Sequence, residues 1–192
     1  ADVLATAYAP ADPSHRARAA FESLFSSGSK DLGRFIPPKA DGDPAWIQTA
    51  LPASIFSEKE QNCLARAVYF EARGESLKGQ VAVAQVVLNR VRNPAYPDTA
   101  CAVVYQNSTW LNRCQFSFAC DGNADIIDDR RAWRLAKDIA MAVSAGKIFL
   151  AEIGSSTHYY ANYVSPSWAR SMRKSAQIGK HLFYKTYGGG WA

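Results

Sequence analysis

The sequence predicts a mainly helical α+β domain with a small β element, and three observations carry that prediction. Apolar residues recur at helical spacing in four segments between residues 57 and 145. Two short runs rich in aromatic residues, at 157–163 and 182–185, have the composition of strands. The first 45 residues show neither pattern. With 192 residues, of which 48% are hydrophobic and 12% aromatic, the chain is long enough to bury one core of ordinary size.

Residues 1–45 hold Pro10, Pro13, the run Ser26-Ser27-Gly28-Ser29, Gly33, Pro37-Pro38 and Pro44, around one short helical candidate between His15 and Leu24. They read as a flexible N-terminal lead-in to a domain covering 46–192. Ser57 with Glu60 three residues later is a capping-box pattern, and it starts a helix that runs to Arg73 and stops near Gly74. A second helix is expected over Leu77–Arg92, with Val81, Ala84, Leu88 and Val91 on one face, before Pro94 ends it. A shorter third covers Thr99–Gln106. The fourth covers Asp128–Ala145, with Trp133, Ala136, Ile139, Ala140 and Val143 in register and Gly146 as its stop. Thr157–Tyr163 and Leu182–Lys185 are the expected strands. No internal repeat is present.

Charge and cysteines narrow the setting. The formal net charge of +5 favours an anionic partner, which could be nucleic acid, a membrane surface or a cell wall. No run of about 18 apolar residues occurs, so no transmembrane segment is expected. The opening Ala1-Asp2-Val3 lacks the basic and apolar regions of a signal peptide, so the expectation is a cytosolic protein or one whose signal has been removed. The four cysteines, Cys63, Cys101, Cys114 and Cys120, form no CxxC pair and are read as disulfides before free thiols or metal ligands. Cys114 and Cys120 flank a short alternating run that a tight hairpin would close, which leaves Cys63 with Cys101.

The chemically suggestive stretch is Glu71-Ala72-Arg73-Gly74-Glu75, at the end of the first long helix beside Tyr69 and Phe70, where Gly74 lets the chain turn away. A glutamate against apolar surface keeps its proton to higher pH and can serve as a general acid, which is what glycosidic bond cleavage requires. The plainer reading, a solvated helix end with Arg73 pairing the two acids, stands beside it.

The run Cys63–Glu75, followed by Gly79–Val91, closely resembles the SleB-type cell-wall hydrolases, a family that includes the spore cortex-lytic enzymes. Val103-Val104-Tyr105-Gln106, Gln115-Phe116-Ser117-Phe118 with Asp121-Gly122, and Ile178–Tyr184 extend the resemblance over about residues 57–185. It implies a lysozyme-like fold related to lytic transglycosylases, action on the bond between N-acetylmuramic acid and N-acetylglucosamine, and Glu71 as the catalytic acid. Peptidoglycan strands, not nucleic acid, are then the partner, and no cofactor or metal is called for. Two departures matter. The first 45 residues are too short and too rich in Pro, Ser and Gly to be the peptidoglycan-binding module common in the cortex-lytic members, which argues against targeting to spore cortex. Cys101, Cys114 and Cys120 are similar to those of exported Gram-negative members, which implies a periplasmic or secreted protein.

Beyond the acid, the residues leave two routes open: attack by the muramic acid 6-hydroxyl, giving a 1,6-anhydro product, or addition of water, for which a second carboxylate is usual. Glu75, Asp121, Asp125 and Asp128 are the candidates for that group. Glu75 reads rather as a loop-anchoring or substrate-orienting residue, and Asp121-Gly122 is equally a plain turn signal. Gln115 and Asn162 are candidate hydrogen-bond partners for acetamido groups. Tyr159, Tyr160, Tyr163 and Trp168 could form an aromatic floor for sugar rings or the core of a half-buried sheet. His158 reads as structural, and Arg170, Arg173, Lys174 and Lys180 as a groove for an anionic polymer or a solvated face. Three scattered histidines at 15, 158 and 181 disfavour a zinc amidase. A non-catalytic wall or nucleic-acid binder would have no use for a shielded glutamate.

Overall fold

A computed structural model describes residues 35–111 and 114–187, among which four α-helices precede a three-stranded antiparallel sheet. Helix α1, Glu58–Ala72, begins at Ser57, whose side chain accepts the Glu60 amide. The expected capping box forms only by half. The Glu60 carboxylate accepts the Cys101 amide at 2.8 Å instead, so it caps helix α3, Ala100–Val104, which is a turn shorter than expected.

Helix α2, Leu77–Arg92, is the organiser of the domain. The sequence pattern gave it one apolar face, yet every residue from Gly79 to Arg92 is buried, because α1, α3, helix α4 (Arg130–Ser144) and the sheet all pack on it. A helix enclosed in this way can keep polar side chains only if they find partners. Gln85 bonds the carbonyls of Leu150 and Gly154 and accepts the Leu150 amide. Asn89 donates to Gly154 and Ser156, both at 2.8 Å. Arg90 donates to Thr157, and Arg92 to Thr49. The segment 150–157 is thereby hung on α2 by side chain to backbone bonds, and it leads directly into the first strand.

Helix α4 starts at Asp129, whose carboxylate accepts the Arg131 and Ala132 amides at 2.9 Å. Its Ala136, Ile139, Ala140 and Val143 are buried as the spacing predicts. Strands β1 (His158–Ala161), β2 (Met172–Ile178) and β3 (His181–Thr186) lie in the order β1-β3-β2. The aromatic runs gave β1 and β3. Strand β2 was not anticipated: Met-Arg-Lys-Ser-Ala-Gln-Ile is polar, occupies the sheet edge, and its register with β3 shifts between Lys174 and Ala176. Ile178 and Phe183 form one core with Ala82, Val86 and Ile153, and Tyr159 and Ala176 pack against it. Tyr160, Tyr184 and Trp168 cluster on the opposite face.

Of the lead-in expected over 1–45, residues 1–34 lie outside the described residues. From Phe35 onward the chain packs on the domain. The Phe35 ring covers Gly146 so closely that a Cβ there would collide with it. Asp43 is buried, accepts the Ser155 hydroxyl at 2.6 Å and pairs with Lys185 at 2.8 Å. Burial would raise its pKa, but those bonds hold it below the ordinary carboxylate value. Disulfides join Cys63 to Cys101 and Cys114 to Cys120. The first ties α1 to α3. The second closes a loop with a 3-10 turn at Ser117–Ala119 in place of the expected hairpin.

Candidate active site

Glu71 occupies the last turn of α1. The chain leaves the helix through the Glu75 amide bonding the Ala72 carbonyl at 2.8 Å. Gly74 is not among the glycines with positive φ, and a Cβ there would meet nothing, so the turn does not depend on glycine as the sequence suggested. Nor do its sequence neighbours shelter Glu71, because successive helical residues point about 100° apart. Tyr69 turns to α4, where it meets Trp133 edge-on and donates to Asp128 at 2.7 Å. Phe70 stacks on Phe118 with ring centroids 4.9 Å apart.

The shelter comes from distant segments instead. The Tyr159 hydroxyl, on β1, donates to Glu71 Oε2 at 3.1 Å, and Ser117, in the disulfide-closed loop, also bonds the carboxylate. Burial raises the Glu71 pKa, and the Tyr159 hydroxyl, the Ser117 bonds and the Arg90 charge oppose this without cancelling it. Tyr159 is half-buried with its hydroxyl against that carboxylate, and desolvation together with the Glu71 charge keeps its phenol pKa well above 10.0 and makes it a permanent donor. A proton-holding carboxyl with donors waiting for its charged form is the arrangement a general acid needs.

The other expected site residues distribute unevenly. Gln115 reaches the site indirectly: with its amide oriented so that the oxygen meets Arg90, it accepts from both terminal nitrogens at 3.1 and 3.0 Å. Glu75 lies under the β2–β3 turn, where its carboxylate accepts the Lys180 amide and fills the space a Gly179 side chain would need, at φ +56°. Asp121 accepts the Asn123 amide at 2.8 Å in an exposed turn whose Gly122 has φ +80°. Asp125 pairs with Arg66 at 2.9 Å, and Asp128 takes the Tyr69 hydroxyl. Tyr159 and Tyr160 cannot share one aromatic floor, since adjacent strand residues face opposite sides. Tyr160 meets the Tyr184 hydroxyl at 2.8 Å and Trp168 edge-on. Asn162 is exposed and donates its backbone amide to Lys180. His158 is buried against Thr157 and Trp168, and burial together with the Arg90 charge takes its pKa down to about 4, so it stays neutral. Among the described residues no three His, Cys, Asp or Glu converge to hold a metal.

Two open recesses, of about 690 Å³ beside Arg73, Asp128, Asp129 and Arg130 and about 420 Å³ beside Leu111, Phe118, Gly122 and Asp125, are not lined by Glu71. Sequence reasoning missed Arg90 and Ser117. No local signal marked Arg90, because its helix shows a single apolar face in sequence and the burial on every side comes from the elements packed around it.

A family profile described as Cell Wall Hydrolase matches residues 74–184, starting three residues after Glu71. The spore cortex-lytic enzyme of Halalkalibacterium halodurans is 33% identical over 149 residues, which are 76% of this chain and 41% of that protein. The spore cortex-lytic enzyme of Bacillus subtilis is 30% identical over 141 residues, 71% of this chain and 42% of that one. The chain thus spans about two fifths of the length of these curated relatives. Among solved structures, the catalytic domain of the Bacillus cereus SleB protein matches with a TM-score of 0.55 at 29% identity, covering 70% of this chain and 95% of that one. The catalytic domain of the germination-specific lytic transglycosylase SleB from Bacillus anthracis matches with a TM-score of 0.54 at 30% identity, covering 70% and 99%. The mainly helical, lysozyme-like architecture implied by the sequence is the one these domains share.

Proposed function

The chain belongs to the cell wall hydrolase family, and from that premise we propose that it cuts peptidoglycan glycan strands between N-acetylmuramic acid and N-acetylglucosamine, as a lytic transglycosylase with Glu71 as its acid. One observation carries the reading: Glu71 is held toward its protonated form while Tyr159 and Ser117 stand ready for the charge that forms when the proton leaves. The names of the relatives point the same way.

Glu71 delivers its proton to the glycosidic oxygen as the bond to C1 of the muramic acid breaks, so the leaving sugar departs as a neutral alcohol. The Glu71 carboxylate then takes the proton of the C6 hydroxyl, whose oxygen closes on C1 to give the 1,6-anhydro ring. One carboxyl thus serves both steps and water is not consumed. A muramidase would use a second carboxylate, but Glu75, Asp121, Asp125 and Asp128 are engaged with Lys180, Asn123, Arg66 and Tyr69 respectively. Gln115 and Asn162, at the exposed rim, are the candidates to meet acetamido groups; Glu75 acts by holding the turn beside it. The domain works outside the cytoplasm, where the wall lies and where two disulfides persist. Among the described residues no helix is long and apolar enough to cross a membrane.

Mass spectrometry of peptidoglycan digested by the purified chain tests the reading. Muropeptides ending in anhydromuramic acid, each lighter by one water than the reducing form, are expected. Reducing muramic acid ends would replace the transglycosylase by a muramidase. Released stem peptides on intact glycan would reject glycan cleavage in favour of an amidase.

A further inference from the structure

A buried guanidinium is costly unless its donors are satisfied and its charge is used, and Arg90 is only 2% exposed. Its Nε donates to the Thr157 carbonyl at 2.7 Å, two residues before Tyr159. Its terminal nitrogens meet the Gln115 oxygen, two residues before Ser117. Its Cζ sits over the Tyr96 and Phe116 rings, 5.5 and 5.3 Å from their centroids. One side chain on α2 therefore touches the approach to β1, the disulfide-closed loop and the loop after α2, and the first two of these carry the groups that bond Glu71.

We propose that Arg90 is a positioning residue of the site: it braces the Tyr159 and Ser117 segments around Glu71, and it supplies the fixed positive charge that faces the Glu71 carboxylate after the proton has been delivered. The groups around Glu71 and Arg90 are Tyr159 and His158 on β1, Ser117 in the loop, and Tyr96 after α2. Tyrosine and serine side chains carry no positive charge and His158 is neutral, so of these groups Arg90 alone is cationic. Its charge acts through space on Glu71 and opposes the effect of burial. Arg90 does not contact substrate in this scheme. The inference rests on Glu71 being the acid.

The experiment titrates the Glu71 carboxyl by carbon-13 NMR in substrate-free protein and records pH profiles of kcat and KM. Arg90→Met removes the charge, and the Glu71 midpoint should rise by about one unit or more, with the basic limb of the rate profile following it and kcat falling while KM holds. Arg90→Lys keeps a charge and should hold the midpoint near the wild-type value. If Arg90→Met does not fold, Gln115→Met at an exposed position decides: it leaves the charge in place but removes the oxygen through which Arg90 braces the loop, so the Ser117 bonds weaken and the midpoint should rise. A folded Arg90→Met with an unmoved midpoint, or an unmoved midpoint in Gln115→Met where Arg90→Met is unfolded, would overturn the proposal. The NMR reading needs no substrate, so failure of glycan cleavage by the wild type would reject the proposed function while the midpoint still judged Arg90.

Discussion

Replacing Glu71 by Gln should disable the protein and stabilise it at the same time. Gln keeps the side-chain volume and still accepts the Tyr159 hydroxyl, so no cavity opens. It cannot deliver a proton, and losing a general acid lowers turnover by about 10²–10⁴-fold. Stability moves the other way. Burial raises the Glu71 pKa above its ordinary 4.5, so between that value and the raised one the folded protein holds a proton that the unfolded chain has released. The unfolded state then binds fewer protons, and stability falls as pH rises through this window and stays lower above it.

Each unit of elevation corresponds to roughly 1.4 kcal/mol, which Glu71→Gln recovers. For a domain of this size that is about 3–6 °C in melting temperature. Thermal melts followed by circular dichroism at pH 7.5 and pH 4, with peptidoglycan turbidity on the same samples, give both readings. The gain should be present at pH 7.5 and shrink toward nothing at pH 4, where the carboxyl is largely protonated in both states. A folded variant that keeps more than about a tenth of turnover would put the acid elsewhere. A variant less stable than wild type at pH 7.5 would mean that Glu71 is a structural carboxylate whose charge the fold uses.

Other changes test the surroundings. Tyr159→Phe removes a donor worth about 1.5–3 kcal/mol to the charged carboxylate, so the Glu71 pKa should rise by about 1–2 units and carry the basic limb of the rate profile upward while kcat falls; an unchanged profile would exclude Tyr159 from the proton path. Thiol titration of the denatured protein should find none of the four cysteines reactive, and four reactive groups would refute the bridges. Reduction withdraws about 2 kcal/mol of chain constraint at Cys114–Cys120 and about 4 at Cys63–Cys101, so activity should fall before helical dichroism as the Ser117 loop loosens; full activity with both bridges reduced would show that the loop needs no staple. A chain starting at Phe35 should melt like the full one, whereas one starting at Pro44 loses Asp43, leaves Lys185 without its buried partner, and should lose about 3–5 kcal/mol; equal melting of the two would show that this pair adds nothing.

The helices and two of the strands were legible because they depend on local signals. Ser57 sits where a cap is needed, and the α4 spacing 136, 139, 140, 143 becomes its buried face. What depends on another segment was not legible. Glu60 looks like the second half of a capping box but serves the Cys101 amide, 41 positions away. Residues 35–45 read as lead-in because Pro and Gly dominate them, yet Asp43 finds Ser155 and Lys185, more than a hundred positions on. At the candidate site, the motif points to Glu71 as the proposed acid, while the sheltering role expected of Tyr69 and Phe70 rests only on their being adjacent in sequence. The actual partner, Tyr159, lies 88 positions downstream, and nothing in a local pattern distinguishes it from Tyr160.

The polar residues inside α2 now have a common rationale. Glu71 is fixed by α1, but its donor Tyr159 belongs to a four-residue strand, and a strand that short on a small sheet has little rigidity of its own. Gln85, Asn89 and Arg90 hold the backbone from Leu150 to Thr157, which sets where β1 begins. At the other end of the sheet, Glu75 holds the turn between β2 and β3 through Lys180. The sheet is thus pinned at two points to the same α1–α2 unit that carries Glu71. A donor placed within hydrogen-bond reach before substrate arrives needs no reorganisation when charge develops, and a site held by rigid elements keeps that geometry. On this reasoning the buried amides and guanidinium, which a purely stability-driven core would replace by apolar side chains, are retained because they convert a mobile edge of the fold into a fixed wall of the site.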